Sequence, residues 1–273
     1  MDAKSRIAAL ERVLDDIGRV AVAVSGGVDS MTLAVVAHRA LGDASTMVHA
    51  ISAAVPADAT GRVERYARRE GWRLERIDAG ELRDARYVAN PVNRCYFCKT
   101  NLYSTIAPLA DAGATIVSGT NTDDLGDFRP GLGAASEHAV RHPYVECGID
   151  KSAVRAMAAG LGLDDLAELP AAPCLSSRVE TGIAIDPRVL KAIDACERLV
   201  RGATGADTVR CRVRRDAVVV ELDDMALAGL DASRRAGLSR EVAERMSAAG
   251  VSGGLRFEPY RMGSAFLRSS ERV

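Results

Sequence analysis

The six residues from Ser25 to Ser30 have the sequence Ser-Gly-Gly-Val-Asp-Ser and lie between an apolar run and a predicted helix. Two adjacent glycines let the backbone curl so that successive N–H groups point at one anion, and the helix N-terminus adds partial positive charge. The two serine hydroxyls can donate to phosphate oxygens, and Asp29 can orient the loop or help to place Mg²⁺. Because no Gly-Lys-Ser/Thr follows, this is not a Walker loop. The full hexapeptide favours phosphate binding over an ordinary strand-to-helix turn.

Three of the six cysteines have a spacing that suits a metal site. Cys95 and Cys98 are three residues apart at the start of a predicted helix, so both thiols can face one point. Cys174 lies in a later loop, which would bring three thiolates together if it folded over the sheet. Three cysteines suit an iron–sulfur cluster with one open iron or a zinc site with one open position. The cluster is favoured, while zinc, a redox disulfide or three unrelated packing residues stay open. The other three cysteines, Cys147, Cys196 and Cys211, show no partner pattern. Cys196 and Cys211 are predicted to be packing residues.

Several charged side chains could meet phosphate or carboxylate groups. Arg210 and Arg212 alternate on a predicted strand and so point to one face, where the planar guanidinium fork suits phosphate. Arg178 follows Cys174 by four residues and could contact a phosphate or carboxylate, although a surface salt bridge is the plainer alternative. Glu197 could line the same pocket, but a glutamate in mid-helix is usually solvated.

Lys99 adjoins the cysteine pair in a chain with 4 lysines and 32 arginines. Because arginine is so strongly preferred, a lysine here indicates that a compact ammonium is wanted. It could steady a bound anion such as a sulfide or a phosphate group. Asp123, Asp124 and Asp127 follow a predicted strand and could hold Mg²⁺ or a ribose. Their plainer interpretation is an acidic surface turn.

The elements that position these residues are indicated by alternating apolar runs and amphipathic segments. Strands are predicted at 19–24, 46–54, 73–77 and 115–118, and helices at 28–41, 59–71 and 96–112. Strands that alternate with helices indicate an α/β fold, a doubly wound parallel sheet covered on both faces. Ligands of such sheets lie beyond the carboxyl ends of the strands, which is where the Ser25 to Ser30 loop falls.

The remaining chain is predicted to form a smaller α+β domain. Loops are predicted at 121–141 and 169–182, helices at 150–160, 186–202 and 239–249, a hairpin at 208–213 and 217–222, and a last strand at 255–257. A boundary near residue 180 divides the chain into domains 1–180 and 181–273.

Composition narrows the functional class. The 273 residues are 48% hydrophobic and 27% charged, as in globular proteins with a substantial core. The net charge of -1 gives no bulk attraction for nucleic acid, so no nucleic-acid partner is expected. No apolar run is long enough for a membrane span, and the charged N-terminus has no signal core. We therefore expect a cytoplasmic protein with a small-molecule substrate and no membrane partner.

The loop resembles the PP-loop of the N-type ATP pyrophosphatases, which split ATP between its α and β phosphates and adenylate an oxygen of their substrate. Nearly the whole chain resembles the LarE family, sulfur transferases that build the nickel-pincer nucleotide cofactor of lactate racemase. The motifs that carry this resemblance are Ser25 to Ser30, Asn90 to Lys99, Gly119 to Gly131, Pro173 to Arg178, Arg210 to Arg212 and Tyr260 to Ser264.

The resemblance implies a nucleotide substrate, pyridinium-3,5-biscarboxylic acid mononucleotide, whose carboxylates are adenylated by ATP with Mg²⁺ and then converted to thiocarboxylates. In one branch of the family the cysteine matching Cys174 gives up its own sulfur. In another branch three cysteines hold a 4Fe-4S cluster that carries the sulfur. Because Cys95 and Cys98 are present, this chain resembles the cluster branch. The resemblance also implies a homo-oligomer.

The expected site residues follow from the motifs and the resemblance together. The catalytic residues are Cys174, Cys95, Cys98 and Lys99, and the three cysteines also hold the cluster. ATP is expected to contact Ser25, Gly26, Gly27, Asp29, Ser30, Thr120 and Asp124. The substrate is expected to contact Arg178, Glu197, Arg210 and Arg212. Asp127 is expected to bind Mg²⁺.

Other functions use the same loop. A tRNA thiolase would need a basic RNA-binding face, which the near-neutral charge does not favour. An amide-forming synthetase would leave the three cysteines unexplained. A non-catalytic nucleotide or metal sensor would release no pyrophosphate from ATP.

Overall fold

The computed structural model describes residues 2–111, 113–126 and 129–266. The chain divides into two compact units. The first comprises Met1–Glu81 and Cys95–Ala172, and the second comprises Leu82–Arg94 and Pro173–Val273. The sequence predicted one boundary near residue 180. In the structure the division falls at 172/173, and a short earlier segment also joins the second unit.

Helices and strands alternate through the first half of the chain. The helices are α1 Ala3–Ile17, α2 Val28–Leu41, α3 Ala57–Glu70, α4 Ala85–Val88, α5 Arg94–Asp111, α6 Gly131–Glu137, α7 Pro143–Glu146, α8 Lys151–Gly160, α9 Asp164–Ala167, α10 Pro187–Thr204, α11 Asp224–Ala228 and α12 Ala232–Ala248. The strands are β1 Val20–Ala23, β2 Ser45–Ala50, β3 Arg73–Ile77, β4 Thr115–Ser118, β5 Val209–Val213, β6 Ala217–Leu222 and β7 Gly254–Pro259.

The first unit contains a parallel sheet with the strand order β3-β2-β1-β4. All four residues of β1 are buried, and successive side chains point to opposite faces of the sheet. Val20 and Val22 join a core with α2 and α8, while Ala21 and Ala23 join a second core with α5. The predicted doubly wound α/β sheet is therefore confirmed, and β1 is one of its two inner strands.

Within the described residues, six helices were not predicted from the sequence (α1, α4, α6, α7, α9 and α11), and α12 begins at Ala232 rather than near residue 239. The structure forms α1 at Ala3–Ile17, where no element was predicted, because Leu10 and Leu14 pack into the first core. It also forms α6 inside the predicted loop 121–141. The sequence predicted a loop here because α6 contains two glycines, which disfavour a helix. The helix is stabilised by the burial of Ala134 and Ala135 against the second face of the sheet.

The second unit contains a three-stranded sheet of order β5-β6-β7. β5 and β6 pair antiparallel, as the predicted hairpin requires, and β7 pairs parallel to β6. Helix α10 packs against β5. This mixed sheet with helices confirms the predicted α+β class of the smaller unit. Over the described part of the chain, no helix combines the length and apolar character needed to cross a membrane.

Candidate functional site

The Ser25 to Ser30 loop connects the carboxyl end of β1 to the start of α2. Gly26 has φ +83°, and a Cβ built on it would lie 2.8 Å from the Ala59 carbonyl oxygen. A side chain at this position would therefore meet both backbone strain and a clash with α3. Gly27 is the N-cap of α2 and makes no side-chain capping bond. The first N–H groups of α2 therefore stay available for an anion.

The two serines of the loop bond to each other across its mouth. The Ser25 and Ser30 hydroxyl oxygens are 3.0 Å apart, and the Ser25 N–H donates to Ser30 Oγ at 3.0 Å. The Ser30 hydroxyl also lies 3.2 Å from the Gly27 carbonyl oxygen, to which it can donate. Arg62 of α3 donates to the Gly26 carbonyl oxygen at 2.6 Å. These bonds hold the loop in a closed turn with its hydroxyls beside the helix N-terminus.

Gly119, which sequence reasoning quoted in a motif but gave no role, closes the loop from the side of β4. A Cβ on Gly119 would lie 2.8 Å from the Ser30 nitrogen and 2.9 Å from the Asp29 carbonyl carbon. Only glycine lets the end of β4 approach the first turn of α2 this closely. Thr120, predicted to contact ATP, follows directly, and its Oγ1 lies 3.1 Å from Ser118 Oγ.

Asp29 is the centre of a polar network that draws on three distant segments. Its Oδ2 pairs with Lys151 Nζ at 2.5 Å, and its Oδ1 accepts from Asn121 Nδ2 at 3.3 Å. The buried Tyr144 hydroxyl donates to the Asp29 carbonyl oxygen at 3.0 Å. Sequence reasoning missed Lys151, although the scarcity of lysine that singled out Lys99 applies to it equally.

The acidic residues after β4 have protein partners. Asp124 accepts from the Asn121 N–H at 3.1 Å and forms a salt bridge with Arg129 at 2.7 Å. Asp123 accepts from the Lys151 N–H at 3.2 Å. The predicted magnesium ligand Asp127 lies outside the described residues. ATP and Mg²⁺ contacts in this segment stay predictions.

Two histidines, the buried His49 and the half-buried His142, lie near the loop. His49 Nδ1 is 2.8 Å from the Val24 carbonyl oxygen, so Nδ1 carries the proton, while Nε2 accepts from Thr60 Oγ1 at 3.0 Å. Burial lowers the pKa of His49 even though the bond to Val24 acts in the opposite direction. Burial also lowers the pKa of His142, with Glu146 acting against it and Lys99 adding to it.

Cys95, Cys98 and Lys99 lie in the first turns of α5. A spacing of three residues places the two cysteines on one side of the helix. Cys95 is exposed and Cys98 is half-buried, so both can be reached from solvent. The Lys99 ammonium lies 5.6 Å from the centre of the Tyr103 ring. The predicted catalytic residues of this segment are thus gathered at one helix start in the first unit.

Cys174 belongs to the second unit, where it is exposed and directly precedes a 3₁₀ turn at Leu175–Arg178. Arg178 is almost fully buried and uses its guanidinium within this unit. It forms a bidentate salt bridge with Glu197 at 2.9 and 3.0 Å, and donates to the Pro173 and Cys174 carbonyl oxygens at 2.6 and 3.1 Å. Arg178 and Glu197, both predicted to contact the substrate, therefore fix the backbone on which Cys174 sits.

The two arginines of β5 have different surroundings. Burial, reinforced by the positive charge of Arg178, lowers the pKa of Arg210 to about 10. Arg212 pairs with the buried Glu221 at 3.0 Å and donates to the Ser177 carbonyl oxygen at 3.1 Å. Glu221 also pairs with Arg214 and accepts from the Ser264 hydroxyl. Sequence reasoning missed Glu221, because a glutamate on an apolar strand carries no pattern of its own.

The three candidate cluster ligands come from both units, Cys95 and Cys98 from the first and Cys174 from the second. Within either unit by itself, the described residues contain no group of three His, Cys, Asp or Glu side chains placed to hold a metal ion. Cys196 and Cys211, predicted to be packing residues, are both buried in the second unit.

A Ser-Gly-Gly-Val-Asp-Ser loop at the carboxyl end of an inner strand of a parallel, doubly wound sheet defines a PP-loop type of α/β protein. No family model matches the chain. Individual relatives are nevertheless clear. The chain is 36% identical over 221 residues to an uncharacterized protein of Synechocystis, a match that covers 80% of this chain and 82% of the relative.

A second relative is an enzyme named for the product that it makes. The chain is 31% identical over 220 residues to the pyridinium-3,5-bisthiocarboxylic acid mononucleotide synthase of Lactiplantibacillus plantarum, covering 80% of this chain and 79% of that one. A shorter match, 30% over 142 residues, is to an uncharacterized protein of Methanocaldococcus jannaschii and covers 51% of this chain and 54% of the relative. This chain belongs to the LarE family.

Proposed function

We propose that this protein is an ATP-dependent sulfur transferase of nickel-pincer nucleotide biosynthesis. In this proposal it adenylates the carboxylates of pyridinium-3,5-biscarboxylic acid mononucleotide and converts each to a thiocarboxylate. The observation that carries the proposal is the 31% identity, over four fifths of both chains, to a synthase named for the bisthiocarboxylic acid product. The first-unit loop supports it, because adenylation requires a site for the phosphates of ATP.

The first half-reaction uses the loop. A substrate carboxylate oxygen attacks the α-phosphorus of ATP, the bond to the β-phosphate oxygen breaks, and pyrophosphate leaves. The N–H groups at the start of α2 and the hydroxyls of Ser25 and Ser30 would bind the phosphate oxygens. Asp29 and Asp124, both at the carboxyl end of the sheet, are the carboxylates that would hold Mg²⁺, which would neutralise the charge of the phosphates. Thr120 would bind ATP from the neighbouring strand.

The second half-reaction replaces the adenylate with sulfur. A sulfur nucleophile attacks the acyl carbon, and AMP leaves with the former carboxylate oxygen. Arg210 and Arg212 would bind the phosphate of the substrate nucleotide, because their guanidinium groups come from one face of β5. Arg178 and Glu197 would act mainly by holding Cys174 in place, as their mutual salt bridge and the backbone bonds of Arg178 indicate.

The proposal also includes the source of the transferred sulfur. Cys95, Cys98 and Cys174 would hold a 4Fe-4S cluster, and two observations fit it. Cys95 and Cys98 are one helical turn apart and solvent-accessible, and Cys174 is exposed. When bound, the cluster would supply a sulfur atom that is not drawn from the protein's own side chains. Lys99, next to Cys98, would steady a bound sulfide or the ATP phosphates.

Pyrophosphate release tests the adenylation step. The protein should form AMP and pyrophosphate from ATP and Mg²⁺ only when the dicarboxylate nucleotide is present. An enzyme that forms pyrophosphate with tRNA or ammonia instead, or a protein that binds ATP without forming any, would contradict the proposal.

Iron analysis tests the cluster separately. Anaerobic reconstitution with iron and sulfide should give about four irons per chain, as a cubane cluster requires. Cys95→Ala should abolish this iron while leaving ATP binding unchanged, and Cys147→Ala, at a half-buried cysteine outside the set, should keep it. A wild-type protein that turns over once and loses the mass of the Cys174 sulfur would disprove the cluster and leave the adenylation step standing.

A further inference from the structure

The salt bridge between Lys151 and Asp29 has no part in either half-reaction described above. We propose that Lys151 is a ligand of the pyrophosphate portion of ATP, held beside the loop by Asp29 until the nucleotide arrives. This inference rests on the proposed ATP half-reaction. It assigns to that reaction a second ammonium besides that of Lys99. Lys151 lies outside both the loop motif and the cysteine motif.

The backbone fixes Lys151 next to the loop. Lys151 is the first residue of α8, whose N-cap Asp150 accepts from the Ala153 N–H at 2.7 Å. The Lys151 N–H donates to Asp123 Oδ2 at 3.2 Å, and the neighbouring Thr122 N–H donates to the Ile149 carbonyl oxygen at 3.1 Å. The start of α8 is thereby tied to the segment that follows β4.

The side chain of Lys151 reaches the anion-binding end of α2. Its Nζ lies 2.5 Å from Oδ2 of Asp29, the second residue of α2. The first-turn N–H groups of this helix lack a side-chain cap at Gly27. The ammonium therefore lies beside the N–H groups that would receive the phosphates.

The charges favour an exchange of partners. Asp29 carries a negative charge next to a site proposed for polyphosphate, and Lys151 neutralises it in the absence of nucleotide. The Lys151 and Asp29 side chains are 34% and 25% exposed, so water screens the pair and its net strength is small. A pyrophosphate group offers several charged oxygens in place of one carboxylate. Its arrival would draw the ammonium from Asp29 and leave that carboxylate for Mg²⁺.

The residue type fits this movement. Lysine has a flexible stem and a compact charge with three donors, so it can change acceptors without moving the backbone. The neighbouring Arg62 instead donates to the Gly26 carbonyl oxygen, and Arg129 pairs with Asp124. The chain has 32 arginines and only 4 lysines, so the partner of Asp29 is a lysine against the general preference. A lysine can change acceptors, whereas an arginine would favour a fixed bidentate pair with the carboxylate.

Binding of inorganic pyrophosphate and of AMP, measured by calorimetry with and without Mg²⁺, tests the proposal. Lys151→Met should weaken pyrophosphate binding about tenfold or more, because it removes a charge-assisted hydrogen bond. Binding of AMP, which lacks the β- and γ-phosphates, should stay within about twofold of wild type. Lys151→Arg keeps the charge and should lose less. Lys191→Met, at an exposed lysine of α10, is the matched control and should bind like wild type.

The outcomes separate the two proposals. Pyrophosphate binding unchanged in Lys151→Met, or AMP binding weakened equally, would assign Lys151 a purely structural role and overturn this inference alone. A wild-type protein that binds neither ATP nor pyrophosphate would overturn the proposed adenylation and this inference together. The thermal midpoint of each variant shows whether it is folded, and Lys151→Arg carries the test if Lys151→Met is not.

Discussion

The groups proposed to bind anions differ in kind between the two units. In the first unit the groups are backbone N–H donors and short hydroxyl side chains at an uncapped helix start. In the second unit they are arginines, of which Arg178 and Arg212 are already paired with the buried carboxylates Glu197 and Glu221. The first arrangement depends on backbone shape, and the second on the balance of buried charge.

This difference predicts different sensitivities. The stability of a backbone site depends more on its local conformation than on nearby charge, because its donors are main-chain N–H groups. A buried arginine site fails when one carboxylate is lost, because the remaining guanidinium stays buried without compensation. Substitutions at matched positions can therefore separate the two kinds of site.

The largest effect is expected at Glu197. Glu197→Ala removes both salt-bridge bonds to Arg178 and the acceptor of the Cys211 N–H, and should lower the free energy of unfolding by about 3–5 kcal/mol. Glu241→Ala, which breaks the exposed pair with Arg245, is the control and should cost about 0.5 kcal/mol or less. Denaturant unfolding measures both. Equal, small losses would show that the Arg178 pair contributes no more than a surface pair.

A smaller effect is expected in the first-unit loop. Gly26→Ala should cost about 2–4 kcal/mol, because the left-handed backbone disfavours a side chain and the new Cβ meets the Ala59 carbonyl. Gly27→Ala has negative φ and no contact closer than Ser25 Oγ at 3.6 Å, so it should cost less than about 1 kcal/mol. Denaturant unfolding of the two variants side by side gives the comparison. A Gly27→Ala cost equal to that of Gly26→Ala would contradict the role assigned to backbone shape.

The smallest effect is a dependence of stability on pH that belongs to the first unit. All four histidines of the chain lie there. Burial lowers the pKa of His49, so below about pH 6.5 the unfolded chain binds a proton that the folded chain does not. Stability should therefore fall as the pH drops below that value and be independent of His49 above it.

Unfolding measured between pH 5 and 8 checks this assignment. His49→Gln should reduce the slope below pH 6.5 by at most about 1.4 kcal/mol per pH unit, which corresponds to one proton. An unchanged slope would mean that other groups cause the pH dependence.

Sequence patterns predicted the first-unit loop well, because the strand, the glycines and the helix are adjacent in the chain. The second-unit site was predicted less completely. Arg178, Arg210 and Arg212 were named, but the carboxylate Glu221 was not, since its pairing with Arg212 appears only when β5 and β6 form their hairpin. Lys151 was missed for the same reason, because 122 residues separate it from Asp29.

Local sequence patterns also did not predict that the segment Leu82–Arg94 belongs to the second unit. Its neighbours in sequence belong to the first unit, while its hydrogen bonds are with the second. Asn90, with φ 52° and fully buried, donates through its side chain to the Glu180 and Ile183 carbonyl oxygens, both at 2.9 Å. No periodicity within thirteen residues can encode partners that lie about ninety residues further on.

The placement of Asn90 has a consequence for how the chain is made. On the ribosome, Leu82–Arg94 emerges well before Glu180, its acceptor 90 residues downstream, so the segment leaves the exit tunnel before its partners are synthesised. Until then the side-chain amide of Asn90 can form hydrogen bonds only with water or with other parts of the nascent chain. A nascent chain that stops at Ala172 therefore carries the whole parallel sheet but leaves this segment unsatisfied. A chain truncated there would lack the Glu180 and Ile183 carbonyl oxygens that accept from the Asn90 side chain in the folded protein.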